Sequence, residues 1–141
     1  MKRIPAIKSV MTPFPYSLDV DASLVDALDF LRARDIDHLP VTRDTELVGV
    51  LSGRDIRTCL QANADAARAK LGDLQPDAPY TVDLNERLDK VLMAMAQRRL
   101  DVALITRHGK LAGVFTLTDV CEKFAEFLRE AFRPPGGGEA A

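Results

Sequence analysis

The stretch LVGVLSGRDI at residues 47–56 returns 64 positions later as LAGVFTLTDV at residues 111–120. Sliding the chain against itself by 64 residues aligns 7–56 with 71–120 without a gap. An internal repeat of this length indicates that one supersecondary unit occurs twice. The repeat therefore sets the fold, because a structure adopted by one copy is expected of the other.

Identical residues mark the alignment along its whole length. Two chance segments would not keep one register through strands, turns and helices alike, so we infer a duplicated unit. The identical pairs are Pro15/Pro79, Tyr16/Tyr80, Asp19/Asp83, Leu24/Leu88, Leu28/Leu92, Arg34/Arg98, Asp37/Asp101, Thr42/Thr106, Arg43/Arg107, Leu47/Leu111, Gly49/Gly113, Val50/Val114 and Asp55/Asp119.

Each copy has the pattern of a β-α-β-β-α unit. A short extended piece rich in strand-forming residues comes first, at 16–18 and at 80–82. A helix with apolar residues at helical spacing follows, and Asp21 and Asn85 can cap its first turn. Two short apolar strands, joined by a four-residue turn, then form a hairpin. The turns are 43–46 and 107–110, and the closing helices start near Ser52 and Thr116.

The predicted fold class is α+β of the α/β type, and the repeat divides the chain into four parts. We expect a first repeat at 5–57, a helical linker at 58–70 that extends its closing helix, and a second repeat at 71–125. The last part, 126–141, contains the end of the final helix, which should stop at Pro134-Pro135, and a disordered glycine-rich tail.

Composition narrows the class of protein. The chain has 141 residues, which is long enough to bury a core without disulfides or a structural metal. Of these residues 47% are hydrophobic and 28% charged, which is typical of a globular protein. A net charge of −2 argues against a polybasic protein that binds nucleic acid or lipid surfaces. There is no apolar run of membrane-spanning length, and prolines interrupt the start of the chain. A cytoplasmic protein without a membrane segment is the expectation.

The residues that usually carry catalysis or bind metal do not form a recognisable set. Cys59 and Cys121 lie in no disulfide or zinc spacing. His108 falls in a predicted turn, and His38 precedes a strand, where a surface histidine and a ligand contact are both open readings. No Ser-His-Asp order, H-E-x-x-H motif or Walker loop is present. The sequence therefore predicts neither an enzyme nor a metal site.

One motif occurs once per copy, at the junction between the third strand and the closing helix. It reads Gly-apolar-apolar-(Ser/Thr)-x-x-Asp, at 49–55 and again at 113–119. The structural interpretation is a capping box, in which hydroxyl and carboxylate satisfy backbone N–H groups at the helix start. The functional interpretation is a nucleotide site, because a helix N-terminus favours phosphate and a carboxylate can accept both hydroxyls of a ribose. Both interpretations stay open at this point.

With these motifs the sequence resembles a tandem pair of CBS domains, the Bateman module, over roughly residues 5–125. The resembling pieces are Ser9-Val10-Met11-Thr12-Pro13, Asp21-Ala22-Ser23-Leu24, His38-Leu39-Pro40-Val41 and the two Gly-x-x-(Ser/Thr)-x-x-Asp segments. The resemblance implies two units packed with pseudo-twofold symmetry around two clefts. It also implies a regulatory module and not an enzyme, one that requires no cofactor and often dimerises through its helices. Its regulatory ligand would be AMP, ADP, ATP, S-adenosylmethionine or an NAD-like molecule.

Site residues follow from the resemblance position by position. The two aspartates match the ribose-binding position, the two hydroxyls match a neighbouring phosphate and ribose position, and Arg54 matches a cation that would reach phosphate. The residues expected at the first site are Thr12, Tyr16, Ser17, Leu18, His38, Leu39, Pro40, Val41, Ser52, Arg54 and Asp55. Those expected at the second site are Tyr80, Thr81, Val102, Ala103, Leu104, Thr116, Thr118 and Asp119.

The second copy departs from this pattern in three places. Leu104 replaces the proline at Pro40, Thr118 replaces the cation at Arg54, and Gln75-Pro76-Asp77 replaces Met11-Thr12-Pro13. A carboxylate at Asp77 would stand near a bound phosphate. We therefore expect the first cleft to be the better site for a phosphorylated ligand, and the second to accept a less charged one.

The sequence is compatible with three functions. The first is an adenine-nucleotide sensor that acts on an unknown effector protein. The second is a ligand-free structural or oligomerisation module, in which both motifs are only helix caps. Nucleic-acid binding is a weaker third, because the chain is acidic and lacks tryptophan. A homodimer is expected because the apolar stripe of the last helix, at Val120, Phe124, Leu128 and Ala131, is longer than one internal face requires. The alternative is that this helix packs back on its own core.

Overall fold

A computed structural model describes residues 3–76 and 78–134. The strands are β1 Thr12–Pro13, β2 Leu18–Asp19, β3 His38–Arg43, β4 Glu46–Ser52, β5 Thr81–Asp83, β6 Val102–Arg107 and β7 Lys110–Thr116. The helices are α1 Leu24–Arg34, α2 Gly53–Ala62, α3 Leu88–Arg98 and α4 Leu117–Ala131. The predicted β-α-β-β-α order is therefore confirmed in both copies, preceded by a short strand, β1, that the sequence pattern did not indicate.

The seven strands form two sheets with matching topology. The first sheet has the order β2-β3-β4 and the second the order β1-β7-β6-β5. In each sheet the opening strand is parallel to the middle strand, which pairs antiparallel with its hairpin partner. Even the irregularity of the ladder repeats, since the register shifts between Val41 and Thr42 and between Ile105 and Thr106. The two sheets share one pattern of buried residues because the two copies share one pattern of apolar residues.

The hairpin turns are tighter than predicted. Two residues connect the strands in each copy, Asp44-Thr45 and His108-Gly109, and all four have a positive φ between 50° and 78°. Two central residues with positive φ are typical of the turn whose twist matches that of the flanking strands. The residues on either side of them continue the ladder, so the predicted four-residue turns contain two paired strand residues each.

The predicted helix caps at Asp21 and Asn85 are wrong. Their backbone N–H groups donate to the carboxylates of Asp19 and Asp83, at 3.0 and 2.9 Å, which shapes the turn before the helix. The cap of α1 is Ser23, whose hydroxyl accepts from the Asp26 N–H at 3.1 Å. The helices begin two residues later than predicted, because the backbone of Asp21 and Asn85 is part of an Asx turn that precedes each helix.

Each core contains a buried apolar residue that belongs by sequence to the other repeat. Ile7 is buried in the core of the second sheet, and its N–H donates to the Glu86 carbonyl at 2.8 Å. Conversely, Leu71 is buried in the core of the first sheet and donates to the Ala22 carbonyl at 2.9 Å. This reciprocal exchange is the arrangement expected of two units related by an approximate twofold axis, and it confirms the predicted packing.

The closing helices of the two repeats differ. After α2 the chain becomes extended at Asn63, and a one-turn helix, Ala64–Arg68, lays the buried Ala66 against the first core. The expected continuous extension of the first closing helix is therefore interrupted. Helix α4 instead continues straight to Ala131 and buries none of its residues, ending before the proline pair expected to stop it. No helix within the described ranges is long and apolar enough to cross a membrane.

Three features named from the sequence fall outside the described residues. They are the carboxylate of Asp77, the second proline of the pair at Pro134-Pro135, and the glycine-rich tail at 136–141.

Candidate functional site

Both repeated motifs form complete capping boxes at a strand-to-helix junction. In the first, the Ser52 N–H donates to Asp55 Oδ2 at 3.2 Å and the Asp55 N–H donates to Ser52 Oγ at 3.1 Å. In the second, the Thr116 N–H donates to Asp119 Oδ2 at 2.9 Å and the Asp119 N–H donates to Thr116 Oγ1 at 3.3 Å. A carboxylate has about four acceptor sites, so each aspartate can cap its helix and accept further hydrogen bonds.

A cavity of about 290 Å³ opens directly beside the first capping box. The first two turns of α2 and the end of the short helix Leu71–Leu74 both contribute to its lining. Its lining residues are Leu51, Arg54, Asp55, Thr58, Leu74 and Gln75. The cavity therefore unites a guanidinium, a carboxylate, a hydroxyl and an amide, which is the mixture of polar groups that fixes a small polar ligand.

Of these lining residues, the sequence predicted only Arg54 and Asp55 for the first site. Thr58 lies one helical turn after Arg54, so the i, i+4 spacing of α2 was a usable signal for it. Gln75 was assigned to the second cleft, since it replaces Met11 in the repeat alignment. In the structure it lines the first cavity with a left-handed φ of 50°, because the chain leaves the first core at this point.

The predicted strand residues lie behind this cavity and do not line it. Leu39, Pro40 and Val41 are buried in β3, the central strand of the first sheet. His38 begins the same strand, half-buried, and pairs with Ser52 in the ladder. The side chains of Leu39, Pro40 and Val41 are therefore inaccessible to a ligand.

Pro40 removes one backbone hydrogen-bond donor near the start of β3. In the second copy the Leu104 N–H donates to the Tyr80 carbonyl at 2.9 Å, and β5 covers Leu104 from Thr81 onward. Proline has no N–H, so Pro40 cannot make the corresponding bond to Tyr16. The parallel strand of the first sheet accordingly begins only at Leu18, which pairs with Val41. The start of β3 is therefore less covered by its neighbouring strand than the start of β6.

The opening segment of the first repeat crosses from one sheet to the other. Thr12 pairs with Val114 in the second sheet, so it does not line the cavity beside Arg54. Ser17 is half-buried, and Tyr16 packs edge-on against Phe30 with ring centroids 5.7 Å apart. The Arg34 guanidinium lies over both rings, and this cation–π stack holds the segment against α1.

The residues predicted for the second site lie at the equivalent junction. Thr116, Thr118 and Asp119 start α4, while Ala103 and Leu104 are fully buried in β6 and Val102 is half-buried. The Tyr80 ring lies under the Arg98 guanidinium, 4.9 Å from its centroid. Burial raises the pKa of Tyr80 above its ordinary value of 10.0, against the opposing effect of Arg98, so the phenol is neutral at physiological pH.

A second cavity, of about 440 Å³, lies between α3 and α4 and is mainly apolar. None of the residues predicted for the second site lines it. In the first repeat the segment around Ala66 covers the corresponding face, whereas α4 runs straight on and leaves this face open. Within residues 3–76 and 78–134 no group of three His, Cys, Asp or Glu side chains is placed to hold a metal ion.

Comparison with known proteins agrees with this architecture. The family model described as CBS domain matches residues 7–62 and 71–126. Hypoxic response protein 1 of Mycobacterium tuberculosis is 33% identical to the chain over 106 residues, which are 74% of this chain and 74% of that protein.

Three solved structures have the same fold and carry a named ligand. The CBS domain pair of protein MJ0100 with 5′-methylthioadenosine and S-adenosyl-L-methionine has a TM-score of 0.79, 20% identity, and coverage of 89% of this chain and 99% of that one. CBSX2 with AMP has a TM-score of 0.76, 23% identity and the same coverage. The CBS domain of a bacterial CNNM/CorC family Mg²⁺ transporter with ATP has a TM-score of 0.74, 25% identity, and coverage of 86% and 87%.

Proposed function

Because the chain belongs to the CBS domain family, with one domain at 7–62 and the other at 71–126, we propose that it is a regulatory module that binds an adenosine-containing nucleotide. The observation that carries this proposal is the cavity where Arg54 and Asp55 face the same space. A positive and a negative group at one helix N-terminus suit a ligand that is anionic at one end and rich in hydroxyl donors at the other.

The chemistry of the first site follows from its side chains. Asp55 keeps acceptor capacity beyond its cap and would accept from the vicinal hydroxyls of a ribose. Arg54 is exposed beside it and would form charge-assisted hydrogen bonds to a phosphate. The half-buried start of β3 at His38 would offer backbone hydrogen bonds to the base. AMP, ADP and ATP are the favoured ligands, with S-adenosylmethionine or NAD as further adenosyl ligands.

The test of this function is a melting curve of the full chain with a panel of adenosine ligands. Native mass spectrometry first establishes that the protein is ligand-free. A ligand at about 100 times its Kd stabilises the native state by about 2.7 kcal/mol, which raises the melting temperature of a chain of this size by several degrees. No shift with any of AMP, ADP, ATP, S-adenosylmethionine and NAD would contradict the proposal.

The second candidate is a structural module without a ligand. The observation that favours it is that both capping boxes are complete, so Asp55 and Asp119 have a sufficient structural role. The same melting experiment separates the two functions, because a pure scaffold gains no stability from any adenosine ligand.

Removing the cation should reveal the phosphate end of the site. We expect Arg54→Ala to weaken AMP and ATP by about tenfold or more, because a hydrogen bond to a charged group contributes about 1.5–3 kcal/mol. Adenosine, which has no phosphate, should bind about as well as to wild type. Isothermal titration with the three ligands measures this difference, and an equal loss for all three would reject the assigned role of Arg54.

A homodimer is part of the proposal, through the exposed face of α4. That face exposes three large apolar side chains, Phe124, Phe127 and Leu128, and 58% of the Phe124 surface is accessible. We expect light scattering to give twice the chain mass of 15.5 kDa, and Phe124→Glu to restore the monomer mass by placing a charge in the interface. Phe14→Glu is the matched control, since Phe14 is 92% exposed elsewhere. A monomer mass for wild type at micromolar concentration would exclude the dimer.

We further propose that the module acts on a separate effector protein in the cytoplasm and is not an enzyme. Its acidic net charge of −2 disfavours nucleic acid as the partner. Retardation of RNA or duplex DNA at low salt would contradict that part of the proposal.

A further inference from the structure

We propose that Thr58 is a specificity-determining residue of the first site and that Glu122, its counterpart in the second repeat, makes the second site select against phosphate. This inference rests on the proposed nucleotide-binding function. It assigns the first cleft to phosphorylated adenosine ligands. It assigns the second to adenosine ligands whose 5′ substituent is neutral or positively charged, such as a thioether or a sulfonium.

The geometry of α2 places Thr58 on the phosphate side of the first cavity. Thr58 follows Arg54 by four residues and lines the cavity with it. Its side chain is exposed and uncharged, so it leaves the guanidinium available and can donate its hydroxyl to a phosphate oxygen. Gln75, which also lines the cavity, is uncharged as well. The side chains lining the first cavity therefore carry one positive and one negative charge.

The repeat supplies a natural variant of this site with the opposite charge. Shifting the lining residues by 64 positions replaces Arg54 with Thr118, Thr58 with Glu122, and Gln75 with Met11. Asp119 is retained and caps α4 as Asp55 caps α2. Glu122 is exposed one helical turn after Thr118, on the same face of α4. The counterpart cleft therefore carries two carboxylates and no cation among these positions.

Of the remaining replacements, Phe115 for Leu51 adds bulk, Val10 for Leu74 removes some, and Met11 for Gln75 removes an amide. Phe115 takes the place of Leu51 and is fully buried in the second core. Met11 packs over Gly113, where a Cβ atom would fall on the Met11 sulfur. Two carboxylates without the guanidinium and the amide of the first site disfavour a phosphate both by repulsion and by the loss of these donors.

A carboxylate at position 58 should convert the first site to the behaviour of the second. It would repel a phosphate and would also pair with Arg54 at i, i+4 spacing, which removes the cation from the ligand. The expected result for Thr58→Glu is about a tenfold or greater loss of AMP and ATP affinity with adenosine affinity nearly unchanged. Thr58→Gln, which has the shape of glutamate without its charge, is the matched control and should weaken AMP and ATP much less than Thr58→Glu, because its amide can still donate to a phosphate oxygen.

The reciprocal experiment transfers the first site to the second repeat. Isothermal titration of the wild-type chain should give one AMP per chain, and the double variant Thr118→Arg with Glu122→Thr should raise this to two. If wild type binds AMP but Thr58→Glu weakens AMP and adenosine equally, the inference is overturned while the proposed function stands. If wild type binds no adenosine ligand at all, the proposed function itself fails. Unchanged stoichiometry in the double variant would overturn the role of Glu122.

Discussion

Asp55→Asn should abolish most of the nucleotide-dependent rise in melting temperature while changing the stability of the unliganded chain by no more than about 1 kcal/mol. The small structural effect is expected because an asparagine oxygen can still accept from the Ser52 N–H, as Asp55 Oδ2 does at 3.2 Å. The large ligand effect is expected because the amide puts a donor where the ribose hydroxyls need an acceptor. Losing a charged hydrogen bond costs about 1.5–3 kcal/mol, which is a ten- to hundredfold loss of affinity.

The size of the melting effect follows from that loss. At a ligand concentration of about 100 times the wild-type Kd, the native state gains about 2.7 kcal/mol. A ten- to hundredfold weaker variant gains only about 0.4–1.4 kcal/mol at the same concentration. Melting curves of wild type and Asp55→Asn, each with and without AMP, measure this difference directly.

Asp119→Asn is the matched control, because it changes the same capping box in the other repeat. If the first cavity is the phosphorylated-nucleotide site, Asp119→Asn should keep the AMP-dependent shift. A shift that survives in Asp55→Asn and disappears in Asp119→Asn would move the site to the second repeat. A shift that survives in both variants would show that neither aspartate binds the ribose.

Ile7→Ala and Leu71→Ala should each destabilise the whole chain by about 2–5 kcal/mol. Both side chains have no exposed surface, and each fills the core of the repeat to which it does not belong by sequence. A cavity in either core therefore weakens the connection between the repeats as well as the core. Domains of this size have total stabilities of about 5–15 kcal/mol, so either loss is a large fraction of the whole.

Urea unfolding followed by circular dichroism measures this prediction, and it should show a single transition for each variant. Ile4→Ala is the matched control for Ile7→Ala, since Ile4 lies three residues earlier with 47% of its surface exposed and should cost less than about 0.5 kcal/mol. Two separate transitions, with only one shifted by Ile7→Ala, would mean that the repeats unfold independently in spite of the exchanged segments.

The capping boxes show why the functional interpretation could not be reached from spacing alone. The Ser52 and Asp55 pattern predicts a helix start by local chemistry, and the structure has that helix start with both hydrogen bonds formed. The same geometry is compatible with a ligand site only if a second surface faces it. That surface is supplied by Leu74 and Gln75, more than 15 residues away along the chain.

The sequence by itself determined the duplicated β-α-β-β-α unit, the hairpins and the two helix starts. These features depend on periodicity and on bonds between residues a few positions apart, as between Thr116 and Asp119. The cap predicted at Asp21 is wrong, because Asp21 gives only its backbone N–H to a turn closed by the Asp19 carboxylate, and Ser23 caps the helix.

Only the tertiary structure decided which residues share a core and a cavity. The exchange of Ile7 and Leu71 between the repeats and the shared lining of one cavity by Gln75 and Arg54 bring together distant parts of the chain. Such contacts are selected by burial of apolar surface, which is non-directional and leaves no periodic trace in the sequence. The different ends of α2 and α4 have the same cause. Ala66, which follows α2, is buried against the first core, whereas α4 buries none of its residues.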